Sequence, residues 1–252
     1  MSKLDVVILA GAPAGADLSP DAPQLSKAML SVGDKTMLQW IVDALKGASC
    51  VGRIVAVGDV KADGIDEVVD PSSDLIGNIR LGLSAAATEP VLVVCSDIPL
   101  LSSEAIDDFI SSAPKDVELA YPIIRRGSCS KHPELKRTYL KTGDGVFTGG
   151  NVMILSPIFV ERNWASIQKA YESRKRLDKL ARMIGIGALL RVIMAQIFPQ
   201  LLTVAYLERA VERILGGKVA AVVSDYPEIG EDVDKPADLY AVRDILRVGE
   251  PE

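Results

Sequence analysis

Histidine, cysteine and aromatic residues are scarce in this sequence: of 252 residues one is histidine, three are cysteine and 5% are aromatic. Cys50, Cys95 and Cys129 stand far apart, show no C-x-x-C or Cys/His spacing, and leave one over in any pairing scheme. That excludes a disulfide framework or a thiolate zinc site, and reduced thiols in a cytoplasmic compartment are expected. Positive charge is in deficit as well. Lys and Arg total 28 against 34 Asp and Glu, a formal net charge of -6, so the broad basic footprint of a nucleic-acid binder is missing. The most apolar stretch, 183–207, is broken by Arg191, Gln196, Pro199 and Gln200, whereas a membrane span needs about 20 apolar residues in a row. Asp5 falls where a signal peptide would continue its hydrophobic run, so no export signal is expected. Neither the Walker loop GxxxxGK[ST] nor the dinucleotide fingerprint GxGxxG occurs.

Against these absences stands a chain that is 48% hydrophobic and 25% charged, enough for one large core. A single domain over 1–252 is expected, with a helical insertion or lobe at 156–216. Val6 to Ala10 is a short apolar run ending at Gly11, the pattern of a buried parallel strand. An irregular segment rich in Gly, Ala and Pro follows to Pro23. Met37, Leu38, Ile41, Val42 and Leu45 then recur at helical spacing. Arg53–Val57 reads as a strand, Asn78–Ala87 as a helix, and Val91–Cys95 as a strand followed by a helix from Ser102 or Ser103. Strands and helices alternating at this interval imply an α/β fold with a doubly wound, mostly parallel, Rossmann-like sheet. Ligands belong at the carboxyl ends of such strands. Arg125–Gly150 is polar and reads as an excursion that covers substrate, Asn151–Leu155 returns as a strand, and Val219–Val223 is the last strand.

Three features carry phosphate chemistry, which at neutral pH needs positioning and charge neutralisation more than a nucleophilic side chain. The first is the end of the first strand, Leu9-Ala10-Gly11, whose loop closes on Lys27. Small residues let amides approach phosphate oxygens, and the lysine adds a point charge. The second is Asp97 in Cys95-Ser96-Asp97-Ile98-Pro99, an acid at a strand's carboxyl end. The third is Glu231-Asp232-Val233-Asp234-Lys235-Pro236, where alternation puts Asp232 and Asp234 on one side of an extended chain and one of them joins Asp97 at a shared Mg²⁺.

In these residues the chain resembles the MobA-like nucleotidyltransferase superfamily, which includes molybdenum cofactor guanylyltransferases and sugar-phosphate nucleotidyltransferases. The likeness runs through Leu4–Leu155 and Val219–Leu246. It implies a GT-A-type fold and a Mg²⁺-dependent transfer of a nucleoside monophosphate from an NTP to a phosphorylated small-molecule acceptor. By the same likeness Leu9, Ala10, Gly11, Lys27, Gly77, Asn78 and Asp97 bind nucleotide, and Lys27, Asp97 and Asp234 are catalytic. Asp97 and Asp234 are the implied metal ligands, and Arg125, Gly149, Gly150 and Asn151 meet the acceptor. Ala12 stands where the family usually has a second glycine, and no arginine lies between Gly11 and Lys27. A glycosyltransferase using a nucleotide-sugar and a catalytically weak nucleotide-binding protein are therefore kept as rivals.

His132, in the polar segment Ser130-Lys131-His132-Pro133-Glu134, has no second histidine or thiol arranged to share a metal and reads as a surface residue. Arg125-Arg126 and Lys136-Arg137 flank the excursion, where they would attract an acidic acceptor. Arg174, Lys175, Arg176, Lys179 and Arg182 lead into the apolar stretch. The composite segment 174–207 has three readings: packing on its own domain, a homo-oligomer interface, or peripheral membrane contact.

Overall fold

The computed structural model describes residues 3–173 and 185–248. The basic residues Arg174, Lys175, Arg176, Lys179 and Arg182 lie outside the described residues. Nine strands form one mixed sheet: β1 (Leu4–Leu9), β2 (Val51–Val57), β3 (Glu67–Val69), β4 (Val91–Cys95), β5 (Leu119–Arg125), β6 (Leu140–Thr142), β7 (Gly145–Gly149), β8 (Val152–Leu155) and β9 (Val219–Ser224). Their order is β3-β2-β1-β4-β8-β5-β7-β6, with β9 alongside β5. The helices packed on it include α1 (Met37–Gly47), α2 (Leu75–Ala85), α3 (Ser103–Ser112), α4 (Pro157–Arg162), α5 (Trp164–Ser173), α6 (Ile186–Ala195), α7 (Val204–Leu215) and α8 (Pro236–Val248).

All six residues of β1 are buried, because it has a parallel neighbour on each side and helices on each face. The strand's two-residue period divides the core. Val6 and Ile8 pack with Ile41 and Leu45 of α1 and Phe109 of α3. Val7 and Leu9 pack on the other face with Ile76, Ile79 and Leu83 of α2 and Phe159 of α4. This is the doubly wound α/β arrangement expected from the sequence, with β8 running against β4 and β5, and β7 against β5, as reversed members.

Helix starts follow their caps. Asp74 accepts a hydrogen bond from the Gly77 amide at 2.9 Å, so α2 begins at Leu75 rather than at Asn78. Ser102 caps α3 by accepting from the Ala105 amide, which leaves Asp97 free of that duty. After β8 the described chain is helical through α4, α5, α6 and α7, and α7 stops where Gly216 turns left-handed at φ 80°.

Helix α7 also covers the outer edge of β9. Glu212 accepts from the Val219 amide at 3.2 Å and Glu208 from the Ala221 amide at 2.8 Å, one helical turn matching two strand residues. Edge amides left open invite pairing with another chain. Replacing both glutamates by alanine is expected to lower stability by about 1–3 kcal/mol, through amides stripped of charged acceptors. Urea unfolding reads the loss and sedimentation velocity reads association through the bared edge; an unchanged urea midpoint would show that water replaces the carboxylates.

Candidate active site at the carboxyl edge of the sheet

The end of β1 is built by a loop that returns on itself. Ala10 donates to Val57 at 2.9 Å, the Ala14 amide to Leu25 at 2.8 Å and the Lys27 amide to Ala12 at 2.8 Å. The Ser26 hydroxyl donates to the Ala10 carbonyl at 2.6 Å. These bonds bring Lys27 back over the strand it left, with only 8% of the residue exposed. Gly11 is required by a close approach, since a Cβ there would lie 2.7 Å from Asn78 Nδ2. Among the described residues no protein group accepts from the Gly11 or Ala12 amides.

Asp97 follows β4, and the Val233 amide donates to its carbonyl at 2.9 Å. That backbone bond fastens the late acidic segment to the end of β4. Asp97, Asp232 and Asp234 each place a carboxylate oxygen within 4.8 Å of the others. Lys27 Nζ donates to Asp97 Oδ2 at 2.7 Å and to Asp234 Oδ1 at 3.0 Å, bonds that join positions 70 and 207 residues apart. Asp97 Oδ1 is buried and has no hydrogen-bond partner. A buried, unpartnered carboxylate oxygen is costly. Three hard oxygen donors around it are a set that could hold Mg²⁺, through Asp97, Asp232 and Asp234.

The charges are strongly coupled. Burial pushes the Asp232 carboxyl up to about 6, and the neighbouring charges of Asp234 and Asp97 act in the same direction. Burial opposes the charged form of Asp234 too, but the Lys27 bond and charge, with help from Asp232 and Lys235, together outweigh it and hold Asp234 below the ordinary carboxylate value. For Lys27, burial disfavours the ammonium, yet Asp97 and Asp234 more than compensate and raise it above the usual lysine value. The Cys95 thiol is pushed up to about 12 by burial, then by Asp97 and Asp232, which leaves it a neutral wall of the site.

The remaining expected residues are placed as follows. Gly77 lies in the first turn of α2, where a Cβ would come 2.3 Å from Ser72 Oγ. Asn78 is buried and its Oδ1 accepts from the Ser72 amide at 2.7 Å, so it holds the turn beside Gly11. Gly149 and Gly150 pack tightly: a Cβ on the first would meet Tyr121 Oη at 2.4 Å and on the second Ile229 Cγ2 at 2.7 Å. The Asn151 backbone bridges Cys95 and Ile229 with bonds of 2.9 and 2.8 Å, while its side chain makes no hydrogen bond among the described residues. Arg125 ends β5, with its guanidinium 5.8 Å from the Phe147 ring centroid and 3.7 Å from Asp225.

Two expectations are corrected. His132 is not a surface histidine: its side chain is 15% exposed and its Nδ1 lies 2.9 Å from the carboxylate of Glu231, whose side chain is fully buried. Arg137 is likewise committed inward, to Glu231 and to the Pro227 carbonyl at 3.3 Å, so it does not stand beside Arg125 as a free phosphate cation. The physical reason is Glu231, a fully buried carboxylate on the opposite side of the segment from Asp232 and Asp234, which needs cationic donors of its own. Sequence reasoning passed over this residue. The available signal was the alternation itself, which puts Glu231 and Val233, both buried, opposite Asp232 and Asp234.

Residues 6–196 match the MobA-like NTP transferase domain. The chain belongs to that family. The match stops before the Asp232–Asp234 segment, whose attachment to Asp97 is seen in the fold. Among curated proteins none matches. A hypothetical transferase from Thermus thermophilus is 30% identical with a TM-score of 0.83, covering 94% of this chain and 99% of its own. The 2-C-methyl-D-erythritol 4-phosphate cytidylyltransferase of Thermus thermophilus is 17% identical at TM-score 0.58, covering 97% and 99% of the two chains. A CMP:2-keto-3-deoxy-manno-octonic acid synthetase complexed with CTP is 12% identical at TM-score 0.63, covering 99% and 100%. The last two share the fold of this MobA-like protein.

A raised acid has a definite linkage sign. Well below pH 3.8 Asp232 is protonated in folded and unfolded chains; between 3.8 and about 6 the unfolded chain gives up the proton first, so the metal-free folded state loses stability across that window and has lost it fully above about 6. Asp232→Asn is therefore expected to raise the thermal midpoint at pH 7.5 by roughly 2–4 °C and to leave it unchanged at pH 3.5. Equal midpoints at both pH values would place Asp232 in an ordinary solvated setting.

Proposed function

We propose that this MobA-like protein is a Mg²⁺-dependent nucleotidyltransferase, moving a nucleoside monophosphate from an NTP onto a phosphorylated small-molecule acceptor and releasing pyrophosphate. The observation that carries the reading is Lys27 bonded to both Asp97 and Asp234, with the second oxygen of Asp97 buried and unpartnered. Family membership supports transfer from an NTP.

Asp97, Asp232 and Asp234 would hold the ion. When bound, Mg²⁺ screens the charge of the phosphates and of the three acids. The chain's own groups do the rest. The strand end Leu9-Ala10-Gly11 brings the amides of Gly11 and Ala12 to the triphosphate, Asn78 keeps the turn at Pro71 against Gly11, and Gly77 lies beside it at the nucleotide edge. Lys27 is held cationic and neutralises charge as it grows on the phosphates. Arg125 and Asn151, set by the packed Gly149-Gly150 turn, orient the acceptor. An acceptor phosphate oxygen attacks the α-phosphorus in line, the bond from that phosphorus to the bridging oxygen breaks, and pyrophosphate leaves with the electron pair. No side chain serves as nucleophile.

The same reading assigns the protein to the cytoplasm, and the helical lobe at 156–216 extends it. Among the described residues no helix is long and apolar enough to cross a membrane. Leu190, Ile193, Met194, Ile197, Phe198 and Leu201 are exposed at helical spacing, as a homo-oligomer interface or a peripheral membrane contact would require. Sedimentation and liposome flotation, each at low and high salt, separate these: headgroup attraction fades as the Debye length falls from about 10 Å at 0.1 M to about 3 Å at 1 M, while an apolar subunit contact persists.

The deciding experiment is a pyrophosphate-release screen of the four NTPs against pooled sugar, polyol and alcohol phosphates, with product masses. Asp97→Asn should keep the fold and remove most turnover, and Lys27→Ala should lower the rate by about 10²-fold, the equivalent of about 3 kcal/mol. Turnover within a few-fold of wild type in Asp97→Asn would sink the metal assignment. Nucleoside diphosphate released from a nucleotide-sugar would instead favour a glycosyltransferase, and NTP binding without product a catalytically weak nucleotide-binding protein.

A further inference from the structure

Two clefts meet at Phe147. One, of about 450 Å³, is lined by Arg125, Arg126, Gly127, Val146 and Phe147 at the carboxyl end of β5. The other, of about 330 Å³, lies between α7 and the sheet, with Tyr121, Leu140, Phe147, Leu207, Val211 and Ala221 among its walls. The first is cationic and the second apolar. In the second, the polar wall residues are already occupied. The Thr142 hydroxyl donates to the Gly145 carbonyl at 3.0 Å, and Glu208 accepts from the Ala221 amide at 2.8 Å.

An apolar cleft of this kind favours an apolar guest, because its walls lack dispersion partners on one side and offer water few hydrogen bonds. Its volume falls at the lower end of the range for small-ligand sites. It is also joined to the candidate active site. Tyr121, in its wall, donates to the Gly150 carbonyl at 2.7 Å, and Gly150 precedes Asn151. Burial, and after it the neighbouring Cys95 and Asp232, push that tyrosine hydroxyl above its ordinary value.

We propose that the acceptor is an amphiphilic phosphate ester, its phosphate in the Arg125–Arg126 cleft and its apolar chain or ring in the cavity under α7. The proposal rests on the transferase reading for the word acceptor, but not for the binding site. Arg125 and Arg126 supply two cations, and Asp225, 3.7 Å from the former, tempers their charge. Phe147 carries the Arg125 guanidinium 5.8 Å from its ring centroid and is also a wall of the cavity, so a ligand crossing it changes from charged to apolar at that ring.

The test is direct binding by calorimetry to the full chain without nucleotide, using methyl, hexyl and decyl phosphate below micellar concentrations. Each methylene taken from water is worth about fourfold in affinity. Decyl phosphate is expected to bind at least ~10-fold tighter than methyl phosphate, the gain from burying about two methylenes in the cavity. Val211→Trp, which fills it, should erase that gain and leave the weak binding of methyl phosphate. Ala221→Leu is the milder filling variant should the first fail to fold. Arg125→Ala should weaken all three ligands by a similar factor. Affinity independent of chain length, or a gain that survives both filling variants, overturns the proposal. A chain-length gain in a protein that never releases pyrophosphate would sink the transferase reading and keep the site. Pyrophosphate release with polar acceptors alone, beside flat chain-length dependence, would do the reverse.

Discussion

Three carboxylates crowded within 4.8 Å of one another repel, and the candidate site is organised around making that repulsion tolerable. Lys27 spans two of them, at 2.7 and 3.0 Å, and is itself almost buried. Neither partner of that contact is local. The lysine comes from the loop after β1, Asp97 from the end of β4, and Asp234 from the segment before α8. Only a sheet that sets the ends of β1 and β4 side by side can bring them together, so the parallel pairing of these strands is a precondition of the charge cluster. The cluster in turn explains the long excursion from Gly11 to Lys27, whose internal bonds serve to return one side chain to its starting strand.

Behind the acids stands a second charged layer facing away from the cleft. Glu231 is buried between His132 and Arg137, so the excursion after β5 is tied to the residue next to Asp232. A displacement of that excursion would be felt at the acids through one peptide unit. With the Val233 amide bound to the Asp97 carbonyl, the acidic segment is held from one side by the end of β4 and from the other by the excursion after β5. This agrees with a general condition for catalytic electrostatics: donors and acceptors must be rigid before the reacting charge develops.

The parts legible in the sequence were those whose signal is local. Unbroken apolar runs such as Val6–Ala10 and Val91–Cys95 mark strands buried on both faces, and the acids that end or follow such runs fall at the ligand edge whatever the detailed topology. Caps at Ser102 and Asp74 are local as well, although Asp74 was passed over and α2 began three residues early. Direction is not local: periodicity says nothing about whether a strand runs with or against its neighbour, so the reversed β8 could not be seen inside a mostly parallel pattern. The pairing of Glu231 with His132 and Arg137 joins positions 99 and 94 residues apart, and no spacing rule reaches that far. A lone histidine in a polar segment looks the same in sequence whether it meets solvent or a buried carboxylate.

Strand β5 shows how much a two-residue period can be made to do. Ala120 faces the main core, while Leu119, Tyr121 and Ile123 face the apolar cavity, and Arg125 ends the strand in the cationic cleft. Three neighbours are needed to hold one strand in all these settings: β8 takes Leu119 and Ala120, β7 takes Ile123 to Arg125, and β9 lies along the other edge. β9 stays a closed edge only because α7 supplies Glu208 and Glu212, and α7 is also the roof of the cavity. Helix α7 thus has a structural task that the charge cluster does not require, and its apolar underside follows from that task. A helix bonded to the sheet's edge by two glutamates stands off the sheet's face, and the space left beneath it is walled almost wholly by apolar side chains.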